Sequence, residues 1–230
     1  NEIGNLLDLK ATAELCQRYA AFFHTDTVQT IGYYPIDVQE VPISFLSGSA
    51  HKFHGPKGVG FVYINADNNI KPILLGGAQE RNQRAGTENV YGIVSLGKAL
   101  EIANQNIKEQ HQTIAQLKAY LLTQLKEMVP NIVVHGDYNQ SHYKILNVGF
   151  PKQNGTDLLL LNLDIAGVCA SGGSACSSGV DVGSHVLNAL NIDESLTNIR
   201  FSLSKYSTTT EINTLIGALK KILKFETVNN

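Results

Sequence analysis

Apolar and polar positions fall into two differently patterned parts that meet near residue 100. In the first part, short apolar runs alternate with amphipathic stretches. The spacing predicts a helix over about Leu6 to Ala20 and strands at Ala21 to His24, Ile43 to Leu46 and Gly58 to Ile64. Such alternation is the signature of a mainly parallel sheet packed by helices. From Thr87 to about Met128, Ile93, Leu96, Ala99, Leu100 and Ile102 recur at near-helical spacing and predict a long helical stretch that bridges two domains. Beyond Pro130 the elements shorten. Strands are expected at Ile132 to Val134, at Ile145 to Phe150, near Val168 and at Ile199 to Leu203, with a helix near Asp157 to Leu163 and a last amphipathic helix from about Thr209 to Phe225. The fold class is therefore α/β over residues 1–100, followed by a linker helix and a small α+β domain over residues 101–230. No internal repeat or low-complexity tract interrupts this pattern.

Chemistry concentrates where one apolar strand ends. Lys52 sits in Ser47-Gly48-Ser49-Ala50-His51-Lys52-Phe53-His54-Gly55-Pro56-Lys57-Gly58-Val59-Gly60, between hydroxyls, an imidazole and a tight glycine loop. A lysine that condenses with an aldehyde must spend part of its time unprotonated, and desolvation lowers its pKa enough to allow that. Ser49 and His51 are donors suited to a phosphate or a ring oxygen. A strand-to-loop turn whose lysine merely caps the loop would use the same residues. Upstream, the apolar strand in Ala21 to Gln29 delivers Asp26 at its carboxyl end, where ligands sit in open α/β sheets. A carboxylate there can keep a ring nitrogen protonated and make the ring an electron sink, with Gln29 near the ring oxygen. Helix capping is the ordinary alternative for Asp26.

Cys176 lies in Ala170-Ser171-Gly172-Gly173-Ser174-Ala175-Cys176-Ser177-Ser178-Gly179, a stretch too rich in glycine and serine to pack as a regular element. It predicts a mobile loop carrying one partly exposed, reactive thiol. Cys169, in an apolar run, and Cys16, in a helical stretch, read as structural.

With Lys52, Asp26, Gln29 and Cys176 in place, the chain resembles the cysteine desulfurases of the NifS and IscS type, class V aminotransferase-fold enzymes that use pyridoxal 5'-phosphate (PLP). The resemblance runs the whole length. It is carried by Asn1-Glu2-Ile3-Gly4, His24 to Gln29, Ser49-Ala50-His51-Lys52, Gly76-Gly77-Ala78-Gln79-Glu80-Arg81, Arg84-Ala85-Gly86-Thr87-Glu88-Asn89, the Gly172 to Gly179 segment and Asn198-Ile199-Arg200-Phe201-Ser202-Leu203. It implies that residues 1–100 are part of a fold type I large domain with a mainly parallel sheet, and that the small domain carries the cysteine loop. It further implies that Lys52 holds the cofactor as an imine and shuttles protons, and that Asp26 faces the pyridine nitrogen and Gln29 the ring oxygen. Ser49 and His51 would hold the cofactor, Thr87 would reach the phosphate of a neighbouring subunit in a homodimer, and Asn1 would lie near cofactor and substrate carboxylate. Arg200 would clamp that carboxylate, a task a bidentate guanidinium suits; a solvent-facing strand edge is its alternative. The thiolate of Cys176 would take the sulfur of L-cysteine as a persulfide, leaving L-alanine, and pass it to a sulfur acceptor or an iron–sulfur scaffold protein. No resident metal is implied, Cys176 meeting an iron–sulfur cluster only during transfer.

The chain departs from that pattern in two places. It opens directly on Asn1-Glu2-Ile3-Gly4, which matches the middle of the relatives' large domain, so the 230 residues alone are expected to bind PLP poorly or not at all. Ser177 stands where many relatives have threonine after the cysteine, which bears on partner preference more than on chemistry. A selenocysteine lyase or aminotransferase of the same fold would act without Cys176. An inactive fragment would only dimerise or dock an acceptor.

Bulk properties add exclusions. The net charge of −2 and the pI of about 6.4 offer no basic surface, so direct nucleic-acid binding is disfavoured. Three cysteines without paired spacing argue for a reducing compartment, with cytoplasm the expectation. No run reaches the roughly 18 apolar residues a membrane helix needs. Gly55 to Gly60 looks like a phosphate loop but precedes a strand rather than a helix. His111 and His142, in polar stretches, are expected at the surface, as is the cluster Lys220, Lys221 and Lys224.

Overall fold

A computed structural model describes residues 1–153, 155–172 and 184–223. The elements, in chain order, are α1 (Leu9–Arg18), β1 (His24–Asp26), β2 (Phe45–Ser49), β3 (Gly60–Ile64), α2 (Val90–Gln105), α3 (Ile107–Met128), β4 (Val133–Val134), β5 (Ile145–Pro151), α4 (Leu159–Ile165), α5 (His185–Ala189), β6 (Leu196–Ser202) and α6 (Thr209–Ile222). They group into two compact units, Leu7–Glu109 on one side and Asn1–Leu6 with Gln110–Asn230 on the other. The first six residues therefore fold with the C-terminal part of the chain, and the pattern change near residue 100 falls inside α2.

In the Leu7–Glu109 unit the sheet order is β1-β2-β3, one parallel pair and one antiparallel pair. The parallel pairing expected from the strand-helix alternation is present between β1 and β2, whereas β3 returns antiparallel after the short loop that follows Lys52. Ala13 of α1 packs with Phe23, Ile43 and Leu46 as a small core, to which Leu9, Cys16, Phe61 and Tyr63 add partly buried surface. Each Leu, Ile or Phe side chain among them taken fully from water contributes about 1.5–3 kcal/mol. Asp8 caps α1 by accepting the Ala11 amide at 2.9 Å, and Asn89 caps α2 through the Gly92 amide at 3.1 Å.

The other unit sets β4-β5-β6, antiparallel throughout, against α3, α4 and α6. Period-two alternation explains its two faces. Leu146, Val148 and Phe150 of β5, with Ile199 and Phe201 of β6, point into the core with Leu121 and Leu125 of α3 and Ile212 and Leu219 of α6. Asn147, Asn198 and Arg200 occupy the opposite face. The Thr208 and Glu211 capping box starts α6, as the sequence Thr208-Thr209-Thr210-Glu211 favours. No strand forms at Val168; instead Ser171 bridges the backbone of Arg200. Among the described residues no helix is long and apolar enough to cross a membrane.

One side chain departs from its expected surface place, and a lysine not singled out from sequence is buried. His142 is 1% exposed, stacked near Tyr143, its backbone amide held by the Gly4 carbonyl at 2.6 Å. Lys118 lies on the apolar stripe of α3, four residues after Ile114, and is only 4% exposed. Its ammonium donates to Ser141 Oγ at 2.8 Å and to the His142 carbonyl at 3.2 Å, and lies 4.8 Å from the centre of the Tyr138 ring. Burial pulls its pKa from 10.5 down to about 8. Between those two values the unfolded chain binds the proton and the folded chain does not, so folding stability from this group rises with pH there. Denaturant melts of the wild type minus Lys118→Met are therefore expected to show a stability difference that is flat below pH 8 and climbs in favour of the wild type from pH 8 to 10.5. A flat difference over that window would count against the burial of a titrating amine.

Candidate functional site

Parallel pairing puts Asp26 opposite Ser47 at the carboxyl end of β1. Thr27, 1% exposed, clamps this end: its amide and its hydroxyl both donate to the Ser47 carbonyl, at 2.9 and 2.8 Å. Asp26 itself is exposed. One carboxylate oxygen accepts the Val28 amide at 2.8 Å, a local turn rather than the helix cap weighed for it from sequence, and the other engages no described residue. Gln29 follows in the same turn, half-buried.

β2 continues directly into a 3₁₀ turn, Ala50–Phe53. Three residues per turn bring Ala50 and Phe53 to the same side, and both are buried, at 0% and 1%. His51 and Lys52 are thereby left on the other side, exposed and half-buried respectively. Ser49 Oγ lies 2.9 Å from His51 Nδ1, a hydrogen bond that fixes the imidazole beside the lysine. The turn is closed by the Gly55 amide donating to the Ala50 carbonyl at 2.8 Å. A Cβ at Gly55 would lie 2.9 Å from Ala50 Cβ, closer than two carbons can approach, so this closure requires glycine. From below, the buried Tyr33 hydroxyl donates to the Lys52 carbonyl at 3.1 Å. Burial pushes the Tyr33 pKa up to about 12, which keeps it a donor through the neutral range. Lys52 Nζ has no hydrogen-bond or ion-pair partner among the described residues.

The remaining candidates lie apart from this cluster. Thr87 is exposed just ahead of α2, in a segment where the Gly86 amide donates to Gln79. A cavity of about 920 Å³ in the same unit is lined by Phe61, Glu80, Arg81, Arg84, Glu88 and Leu96 among others, and by none of Asp26, Gln29, Ser49, His51 or Lys52. In the other unit, Arg200 Nη1 donates to the Asn1 carbonyl at 2.9 Å, joining two candidates 199 positions apart in sequence. Arg200 Nε is buried with no partner among the described residues, and so is Oδ1 of Asn147, its cross-strand neighbour. Cys176 lies outside the described residues. Cys169, expected to pack as a structural cysteine, is exposed instead, because the chain around Gly167 turns at the surface; Cys16 is half-buried on α1, packed against the core as expected.

The profile of the aminotransferase class-V family matches residues 1–215. The chain belongs to the aminotransferase class-V family. Within that family it is 38% identical over 226 residues to the cysteine desulfurase IscS of Dictyoglomus turgidum, covering 97% of this chain and 57% of that protein. It is 43% identical over 225 residues to a cysteine desulfurase of Klebsiella pneumoniae, again covering 97% of this chain and 56% of the relative. Among solved structures it superposes on a NifS-like protein from Rickettsia africae with a TM-score of 0.86 at 29% identity, over 97% of this chain and 59% of that one. A second NifS-like protein gives the same TM-score at 32% identity, over 98% and 59%. The class-V chain thus spans a little under three fifths of the relatives it matches.

Several residues that shape the site were not singled out from sequence. Tyr33 carries no local signal, since its partner is a backbone carbonyl 19 positions away. Asn147 does: it is a polar residue inside the apolar run Ile145 to Phe150. Gly55→Ala is expected to destabilise the Leu7–Glu109 unit by about 1–3 kcal/mol, since the turn must open to admit a methyl group. Chemical denaturation followed by a probe in that unit measures this, and an unchanged midpoint would mean the turn is not held closed at Ala50.

Proposed function

We propose that this chain supplies the lysine-bearing and arginine-bearing parts of a PLP-dependent cysteine desulfurase. In this reading it removes sulfur from L-cysteine, releases L-alanine and leaves the sulfur on Cys176 for iron–sulfur cluster assembly or another sulfur acceptor. The observation that carries the reading is Lys52, a half-buried amine without a partner among the described residues, on a turn locked from beneath and flanked by a pinned imidazole. The residues present fit the cofactor. Ser49 and His51 would hold its phosphate and ring oxygen, Asp26 has a free carboxylate oxygen for the ring nitrogen, and Gln29 would reach the ring oxygen. Asn1 would lie beside cofactor and substrate, and Thr87 would serve the phosphate site of a second copy in a homodimer.

When bound, PLP supplies an aldehyde for the amines and a protonated ring that takes up electron density from the substrate's α-carbon. Lys52 is then the group that accepts and returns the proton at that carbon. The Nε of Arg200, unpartnered among the described residues, with Nη1 already engaged by Asn1, leaves one edge of the guanidinium for the substrate carboxylate. The Cys176 thiolate attacks the substrate sulfur: an S–S bond forms, the C–S bond breaks, and its electron pair stays on carbon, which takes up a proton to give alanine. Cysteines that are free among the described residues support a reducing, cytoplasmic setting.

The reading is tested by reducing the chain with borohydride in excess PLP, which traps even a weakly held imine, and mapping the peptides. The cofactor mass is expected on Lys52 ahead of Lys118 and the exposed lysines, and to vanish in Lys52→Ala. Sulfide release from cysteine by the active assembly is expected to be lost in Cys176→Ala. Labelling spread evenly over surface lysines would overturn the assignment.

A further inference from the structure

We propose that Glu2 is a positioning residue for Arg200, a role that rests on reading Arg200 as the group that binds the substrate carboxylate. Glu2 is 2% exposed, yet it takes part in no ion pair among the described residues. A carboxyl group taken from water costs free energy unless its oxygens find hydrogen-bond donors. Its carboxylate accepts a short hydrogen bond from the Ser184 hydroxyl. Ser184 is fixed in turn as the N-cap of α5, its oxygen accepting the Leu187 amide at 3.1 Å. The Glu2 carbonyl accepts from Asn147 Nδ2 at 3.1 Å, and Asn147 stands opposite Arg200 in the register of β5 and β6. One residue earlier, the Asn1 carbonyl receives Arg200 Nη1 at 2.9 Å.

Glu2 is thus tied by its side chain to α5 and by its backbone to β5, and these two ties set where the Asn1 carbonyl lies. That carbonyl occupies one guanidinium nitrogen. The side-on edge, Nε with Nη2, is then the edge turned to a ligand, and its buried Nε has no partner among the described residues. A guanidinium offers several donors in a fixed plane, so holding one of them selects which pair meets a carboxylate. Without the Glu2 side chain only the backbone tie to Asn147 remains, so the Asn1 carbonyl is held less firmly and Arg200 can rotate away from the side-on edge.

The test uses the ¹⁵N-labelled chain and the Arg200 Nε–Hε resonance, assigned by its loss in Arg200→Lys, with L-alanine as the carboxylate probe. In the wild type this resonance is expected to be single and to shift on titration. In Glu2→Ala it is expected to broaden or split without ligand, and the L-alanine Kd to rise by about tenfold, the loss of a hydrogen bond to a charged group. Glu2→Gln keeps an acceptor for Ser184 and is expected to retain the single resonance and a Kd within about threefold of wild type. Amide resonances of α6 serve as the control for a general loss of fold. Should Glu2→Ala not fold, Ser184→Ala decides, with the same splitting expected at Arg200. An unchanged ligand-free resonance and unchanged Kd in the folded alanine variant overturns the proposal. A wild-type resonance that ignores L-alanine instead overturns the carboxylate reading of Arg200, and the ligand-free spectra alone then decide on Glu2.

Discussion

Lys52 can stand clear of the fold because its neighbours on either side cannot. Ala50 and Phe53 are driven inward, and a turn of three residues per rotation leaves the two positions between them facing out. The apolar contact of Phe53 is therefore what aims the amine. The Gly55 closure and the Tyr33 hydrogen bond then remove the remaining freedom of the backbone, so the lysine has its position specified by groups that never touch a ligand. Preorganisation of this kind places the cost of ordering in folding rather than in binding.

The other unit solves a related problem with polar groups. Its sheet turns an apolar face to three helices and a polar face to the chain's first residues. Buried polar atoms are tolerated when they are paired, and here most are: His135 Nε2 meets Asn198 at 2.7 Å, and burial holds its pKa below the usual imidazole value even though that hydrogen bond pulls the other way. Against this satisfied background the two atoms unpartnered among the described residues, Arg200 Nε and Asn147 Oδ1, mark where this sheet face is not self-sufficient.

Much of this was legible in the chain. The alternation of apolar runs located eleven of the twelve described elements to within a few residues, α2 and α3 as one stretch that the structure breaks at Asn106, and the composition around Lys52 identified the turn. Where boundaries moved, the ladder rather than hydrophobicity decided. β2 runs on through Ser47, Gly48 and Ser49 because their backbones pair with β3, while the apolar Phe22 is 72% exposed and outside β1. His142 read as surface because its neighbours are polar, yet its amide is needed by Gly4 and its ring by Tyr143. Lys118 was invisible for the opposite reason: a lysine on a helix is normally solvated, and only the three-dimensional convergence of Ser141, His142 and Tyr138 explains its burial. The link between Asn1 and Arg200 joins chain ends that no local pattern could connect.

The seven-residue antiparallel alignment of β5 with β6 alternates Ile199 and Phe201 with Asn198, Arg200 and Ser202. A slip of a single position would turn every one of these side chains through to the other side, presenting a guanidinium to the hydrocarbon interior and two large hydrocarbons to solvent. Mispairing is thus never a mild fault that blunts recognition while sparing the architecture. The same alternation that builds the interior also proofreads the orientation of Arg200, and a chain that has assembled this sheet has already aimed the arginine.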